Sequence, residues 1–396
     1  MQKIRQAVIL AGGEGTRLRP LTLTTPKPLI NIHGKPFAEY LVELLKKNGV
    51  EEIVFLTGYL GEQFPAYFDD GSKFGVSIKY DELYDGENEI HTGERLRHAA
   101  SLLHQEFLLL YGDNYWPLDL EKLLAHHESA GTPATVTVYE RTDPVKRNDI
   151  LVSPDGFVEK YDKKRETERL NGVNIGFYIF SRDVLNLLPE GNVDFDKTVL
   201  PQLIEKRQLA GYLTKQPYWG LTDKERLPGV MRALNPNRKV LFLDRDGTLN
   251  VKAPKGDYIK KPDAFKFLPG VVEALKKFYD AGYELYVVSN QSGIARGFMT
   301  ESDLAAIHEK MREELARHGV AFSGIYYCPH GWDEGCECRK PKPGLLYQAA
   351  REHDIDLSRA LFIGDDERDK EASDAVGART ILVPSEEGLA AAHILM

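Results

Sequence analysis

Asp244 and Asp246 lie one residue apart in Leu243-Asp244-Arg245-Asp246-Gly247-Thr248-Leu249-Asn250, directly after the apolar run Val240-Leu241-Phe242. A strand that ends in two such carboxylates points both toward the carboxyl edge of a sheet, where one can attack a phosphorus atom and the other can move protons. A second signature opens the chain: Gly12, Gly13, Gly15 and Thr16 follow the apolar residues 7–10. Glycines in that place let the backbone approach phosphates and donate N–H groups to them, while Arg17 and Lys27 can neutralise a triphosphate. The third is Cys328, His330, Cys336 and Cys338, three thiolates and an imidazole on one short stretch. That ligand number and softness suit tetrahedral Zn²⁺, and with no open position the site is expected to be structural. Its role would be to pin the loop carrying Arg339, Lys340, Pro341 and Pro343 over a phosphate pocket.

These groups need scaffolds. Short apolar runs alternate with helical patterns in both halves, the signature of a three-layer α/β fold with largely parallel strands. Residues 7–10, 53–57, 107–111 and 135–139 read as strands of a first sheet, and 240–243, 283–289 and 360–363 as strands of a second. Phe37, Tyr40, Leu41, Leu44 and Leu45 recur at helical spacing, as do Leu304, Ile307, Met311 and Leu315, and both stripes read as core. Prolines and asparagines in 227–238 mark a linker. The expected organisation is therefore a domain over 1–226, a linker over 227–238 and a domain over 239–396, both Rossmann-like.

With 396 residues, 42% of them hydrophobic and 28% charged, the balance is that of a globular chain long enough for two cores. A net charge of −9 without a block of Lys and Arg argues against nucleic acid as a partner. The first residues carry too short an apolar run for a signal peptide, and no stretch approaches the roughly 18 apolar residues of a membrane helix, so a cytoplasmic location without membrane contact is expected. All three cysteines fall between 328 and 338, a poor distribution for disulfides. The expected partners are small anionic molecules, and the sequence is compatible with a homo-oligomer.

From Ala11 through Arg19-Pro20 to Thr25-Pro26-Lys27-Pro28-Leu29, the first half resembles the sugar-1-phosphate nucleotidyltransferases. The resemblance implies a mixed Rossmann-like sheet and attack by a sugar-1-phosphate oxygen on the α-phosphorus of a nucleoside triphosphate, with pyrophosphate released. Such a displacement between anions needs charge neutralisation more than covalent chemistry. By the same resemblance Asp113 is the Mg²⁺ ligand, Glu159 and Lys160 contact the sugar and its phosphate, and Asn174 belongs to the loop that cradles the sugar. Two departures stand out. His91-Thr92-Gly93-Glu94-Arg95 replaces small residues of the family's loop near base and sugar, so recognition there must differ. The family's Trp-x-Asp-x-Gly-Thr appears as Tyr218-Trp219-Gly220-Leu221-Thr222-Asp223, so the carboxylate is either lost or supplied by Asp223, which could equally be an N-cap for the short turn Lys224-Glu225-Arg226-Leu227.

The second half resembles the haloacid dehalogenase phosphohydrolases. That resemblance makes Asp244 the nucleophile and Asp246 the acid and base. Ser289, Asn290 and Gln291 would contact phosphate together with Arg339, Lys340 would supply positive charge, and Asp365 would hold Mg²⁺ together with Asp244 and Asp246. The Cys/His loop and Asn290-Gln291-Ser292-Gly293-Ile294-Ala295-Arg296-Gly297 resemble the heptose bisphosphate and histidinol phosphate phosphatases in particular. Residues 34–40 and 57–63 resemble heptose 1-phosphate guanylyltransferases. Together these imply one chain that removes the 7-phosphate of D-glycero-D-manno-heptose 1,7-bisphosphate and couples the remaining heptose 1-phosphate to a nucleotide, GTP favoured, downstream of a separate sugar kinase. Two alternatives stay open: a CTP- or UTP-dependent transferase acting on another phosphorylated sugar or polyol, and a degenerate nucleotide-binding domain that regulates an active phosphatase.

Overall fold

A computed structural model describes residues 3–84, 86, 90–140, 148–254 and 256–392. The chain divides into two compact units, 1–234 and 235–396.

In the first unit a nine-stranded mixed sheet is built around Gln6–Leu10, which pairs in parallel with Glu52–Thr57 on one side and Glu106–Tyr111 on the other. Gly172–Ser181 then runs antiparallel beside Glu106–Tyr111, and Ala134–Glu140 and Leu209–Thr214 extend that flank. Apolar side chains cover both faces of these strands, as befits a sheet sandwiched between helices. On one face the helix Phe37–Lys47 buries Phe37, Tyr40, Leu41, Leu44 and Leu45, the stripe its periodicity marked. The antiparallel flank, with its hairpin Ile150–Val152 and Val158–Tyr161, is where the parallel expectation gives way.

The segment 227–238 is folded over most of its length, against its reading as a linker. Leu227–Ala233 is a helix, and Val230, Ala233 and Leu234 join the first unit's core. Pro228 sits in the first turn, where a missing N–H costs nothing, so it starts the helix rather than breaking the chain.

The second unit is a five-stranded, all-parallel sheet in the order Gly324–Cys328, Tyr283–Asn290, Lys239–Leu243, Leu361–Gly364, Arg379–Leu382. The first strand in sequence is central, so the chain winds outward in both directions from it and leaves a crevice at the carboxyl ends beside it. Helix Glu301–Ala316 packs Leu304, Ile307, Met311 and Leu315 inward. Among the described residues no helix is long and apolar enough to cross a membrane.

Candidate active sites

Because Gln6–Leu10, Glu52–Thr57 and Glu106–Tyr111 are parallel, the turns that leave them share one edge. Those turns carry Gly12 and Gly13, Gly58, and Gly112 with Asp113. The first and the last of them help enclose a cavity of about 550 Å³ lined by Gly12, Gly13, Gly15, Thr16, Arg17, Lys27 and Asp113, within the roughly 300–1,000 Å³ usual for small-molecule sites. The Lys27 ammonium is ion-paired to the Asp113 carboxylate. The glycine loop, both cations and the candidate metal carboxylate, far apart in sequence, therefore face one space.

Other expected residues are placed differently. Glu159 and Lys160 are both exposed, because a register irregularity between Val158 and Lys160 in the edge hairpin interrupts the inside-outside alternation of that strand. Lys163, three residues on, reaches inward instead: its Nζ lies 2.5 Å from Asp196, which is only 3% exposed. Tyr111, which lines the cavity, donates its hydroxyl to the same carboxylate at 2.7 Å. Burial works against the Lys163 ammonium, yet Asp196 outweighs it and holds the lysine pKa up. Asn174, expected in a loop, lies in the strand Gly172–Ser181 where its register shifts, and is engaged there, donating to the Tyr178 hydroxyl at 2.5 Å and accepting from the Gly176 N–H at 2.9 Å.

The broken Trp-x-Asp motif resolves in space. Leu221 stands where the family's Asp would be and is fully buried in the core. The Asp223 carboxylate accepts the Arg226 backbone N–H at 3.0 Å and lies 3.9 Å from the Arg226 guanidinium, so it closes the turn 224–226 and not the helix Leu227–Ala233, whose N-cap is Arg226. Among the described residues it joins no cluster of three metal-ligating side chains with Asp113.

In the second unit the chemistry again gathers at one sheet edge. Asp244 follows Lys239–Leu243, Ser289 and Asn290 end the neighbouring strand, and Asp365 follows Leu361–Gly364. Lys340, 4% exposed, bridges Asp244 at 2.7 Å and Asp369 at 2.5 Å and also donates to the Val288 carbonyl. Burial disfavours its charge, but the two carboxylates more than compensate and its pKa is raised. Ligand oxygens of Asp244, Asp365 and Asp369 lie within 4.8 Å of one another. Asp365 Oδ2 accepts from Lys252 at 2.6 Å and Ser385 at 2.7 Å, whereas Oδ1 is buried without a hydrogen-bond partner among the described residues. An ionised oxygen left so is costly, and a hard oxygen-seeking cation such as Mg²⁺ would satisfy it. Gly247, at φ 93°, is required here, since a Cβ would collide with the Asp365 carboxylate.

Asp246 is not part of this carboxylate cluster, although it was expected among the metal ligands. Its oxygens accept from Arg245 at 2.8 Å, Asn250 at 2.9 Å and Gln291 at 2.8 Å. Burial pushes its pKa up, but Arg245 and the two amides prevail and lower it. Arg245 itself is fully buried, and the other side of its guanidinium lies 3.5 Å from His308, which burial and that guanidinium keep neutral with a pKa of about 3. Asn290 and Gln291, expected on phosphate, have their amides engaged within the protein. Asn290 exchanges hydrogen bonds with the N–H and C=O of Lys340, both at 3.0 Å, and Gln291 donates to Asp246 and Ser289. Arg245 and His308 were given no role by the sequence reading, and of the carboxylates in the run 364–369, read as offering Mg²⁺ ligands, it singled out Asp365 and not Asp369. Asp369 is the third residue of the helix Glu367–Ala375 and looks like half of a capping box, which it also is.

The cysteine loop closes on itself. Cys328 Sγ lies 3.6 Å from Cys336 Sγ and 3.3 Å from Cys338 Sγ, and His330 Nδ1 lies 3.2 Å from Cys338 Sγ. A tetrahedron with Zn–S bonds of about 2.3 Å has S···S edges of about 3.8 Å, so the four atoms already stand close to coordination distance. Burial raises the pKa values of Cys328 and Cys338, which favours their thiols, so ionising them this close together would call for a cation among them. Lys340 follows two residues after Cys338. A cavity of about 490 Å³ beside the loop is lined by Arg339, Lys340, Lys342 and Arg368, a basic setting for an anionic substrate.

Fold and site define two enzyme classes in one chain, a nucleotidyltransferase and a haloacid dehalogenase-type phosphatase. Residues 6–220 match the Nucleotidyl transferase family and 337–394 the HAD-hydrolase-like family. The D-glycero-beta-D-manno-heptose-1,7-bisphosphate 7-phosphatase of Pseudomonas aeruginosa is 43% identical over 153 residues, covering 39% of this chain and 85% of that protein. The D-glycero-alpha-D-manno-heptose-1,7-bisphosphate 7-phosphatase of Campylobacter jejuni is 41% identical over 149 residues, covering 38% and 84%. A putative glucose-1-phosphate thymidylyltransferase from Bacillus anthracis shares the fold of the first unit, with a TM-score of 0.51 at 21% identity over 58% of this chain and 96% of that one. The chain belongs to the nucleotidyl transferase family through its first unit and to the heptose-1,7-bisphosphate 7-phosphatase family through its second.

Proposed function

We propose that the second unit removes the 7-phosphate of a D-glycero-D-manno-heptose 1,7-bisphosphate and that the first unit transfers a nucleotidyl group, GMP favoured, to the heptose 1-phosphate left behind. The observation that carries this reading is the pairing of the two sites in one chain: the product of the phosphatase relatives' reaction is a sugar 1-phosphate, the acceptor class of the first unit's family. The phosphatase relatives include enzymes named for either anomer at nearly equal identity, so the anomer is a matter for the assay.

In the phosphatase, Asp244 attacks phosphorus to give an aspartyl phosphate, while Lys340 and Arg339 offset the charge of the incoming group. Asp246, ionised in the free site by Arg245, Asn250 and Gln291, takes up a proton brought in by the substrate phosphate, hands it to the departing sugar oxygen and recovers one from the water that cleaves the acyl phosphate. Mg²⁺, held by Asp244, Asp365 and Asp369, would supply electrostatic stabilisation of the phosphoryl oxygens. In the transferase, Arg17, Lys27 and the N–H groups of Gly12, Gly13 and Gly15 hold the triphosphate, Asp113 is the carboxylate available to a second Mg²⁺, and Lys163 takes the place expected of Lys160 beside the sugar phosphate. A triphosphate-consuming enzyme of this kind works in the cytoplasm.

The test supplies the bisphosphate of each anomer with ATP, CTP, GTP and UTP in turn, reading phosphate and pyrophosphate separately. Release of both, with GTP preferred, is the expected result. Phosphate without pyrophosphate for every triphosphate would remove the transferase activity from the reading.

Zinc has its own test. Purified protein is expected to hold about one equivalent, and Cys336→Ser to lower both zinc content and phosphatase rate by freeing the loop that carries Lys340. A mutant with full zinc and an unchanged rate would disprove the pinning role.

A further inference from the structure

Arg95 stands where small residues were expected, and its surroundings give it a task. It lies on the helix Thr92–His98, is 5% exposed and lines the transferase cavity together with Gly12 and Ile90. Its neighbour Glu94 turns away and pairs with Arg97 at 2.5 Å. The Arg95 guanidinium donates to four main-chain carbonyls from four separate segments: Gly12 at 3.3 Å, Ile90 at 3.2 Å, Leu83 at 2.7 Å and Thr57. Thr57 ends one central strand, Leu83 follows the strand Ser77–Glu82, Ile90 leads into the helix, and Gly12 begins the glycine loop. Only a planar fork with five N–H donors can serve so many acceptors at once; an ammonium offers a single point. The fit is also exclusive, because a Cβ on Gly12 or on Gly58 would overlap the guanidinium. Gly12 is thus a glycine for the arginine behind it, while the N–H it turns to the phosphates would be the same in an alanine.

We propose that Arg95 is a positioning residue of the nucleotide site, tying the glycine loop to the Leu83 and Ile90 main chain and setting a fixed positive charge behind the triphosphate cradle. This rests on the transferase reading. It implies that Arg95 governs affinity for the nucleoside triphosphate and leaves the sugar-phosphate side largely alone.

The experiment measures equilibrium binding to the full chain of whichever of ATP, CTP, GTP or UTP the wild type binds most tightly. Arg95→Met is expected to weaken that binding at least about tenfold, and Arg95→Lys to restore only part of it, while the KM for sugar 1-phosphate in pyrophosphate release changes by less than about twofold. The unchanged KM for sugar 1-phosphate vouches for the fold of the first unit, and phosphate release matching wild type vouches for the second. Triphosphate binding within twofold of wild type in Arg95→Met, or equal losses toward both substrates, overturns the proposal. A second measurement does not depend on either variant alone: Gly12→Ala should weaken triphosphate binding in the wild-type background but add little in an Arg95→Ala background, where the clash is gone. Additive losses would overturn it too. If the wild type binds triphosphate but makes no pyrophosphate, the transferase reading fails while the binding data still decide the role of Arg95; if it binds none, both fall.

Discussion

Asp244→Asn is expected to abolish phosphate release, by about three orders of magnitude or more, while nucleotidyl transfer to a supplied sugar 1-phosphate continues near the wild-type rate. An amide of the same shape cannot form the acyl phosphate, and a loss of that size corresponds to about 4 kcal/mol of barrier. Lys340 keeps Asp369 and the Val288 carbonyl as partners, so the pocket should survive the change. Stability moves in a definite direction as well. Burial raises the pKa of Asp244, Lys340 pulls it down, and Asp369 and Asp246 push it up again, with a net rise. A raised pKa in the folded state means the ionised form strains the fold as pH rises, so above neutrality the metal-free Asn variant should be no less stable than metal-free wild type. Loss of both activities in this mutant would contradict the assignment of separate sites.

The second large effect belongs to the other site. Lys27→Ala or Asp113→Ala should each cut pyrophosphate release by about two orders of magnitude, if each supplies about 3 kcal/mol of charge stabilisation, and should leave phosphate release untouched. Their ion pair makes the two substitutions informative together. Removing either frees the other, so the double mutant should lose less than the sum of the singles. Full transfer activity in both single mutants would deny the cavity its proposed chemistry.

What could be read from the sequence was what depends on neighbours along the chain. Apolar runs that become central strands, and the glycines and carboxylates directly after them, stand where their order put them: Gly12, Asp113, Asp244 and Asp365 all follow predicted strands. The stripes on Phe37–Lys47 and Glu301–Ala316 were legible because helical periodicity reports the buried face directly. What escaped depends on register and on distant partners. Lys160 and Lys163 look interchangeable until an irregular pairing at Val158 sends the first outward and Asp196 draws the second in. Asn290 and Gln291 have the right amides for phosphate, but only the fold shows that Lys340 and Asp246 already hold them. Asp369 could not be told from its neighbours in the run 364–369 until Lys340 reached it, and Arg95 was legible as a departure but not as a tie among four main-chain carbonyls.

The all-parallel sheet of the second unit has one more consequence. Every group assigned to its chemistry lies past a carboxyl end, whereas residues 235–238 enter at the amino end of its central strand, Lys239–Leu243. The junction with whatever precedes it is therefore attached to the edge that carries no loops of catalytic consequence. A gene fusion at that point asks for no redesign of the reactive loops, and the same geometry offers an engineer a place to exchange the leading enzyme for another. The opposite edge allows no such freedom, since an insertion after Leu243, Asn290, Cys328 or Gly364 would lengthen a turn that carries the chemistry or leads into it.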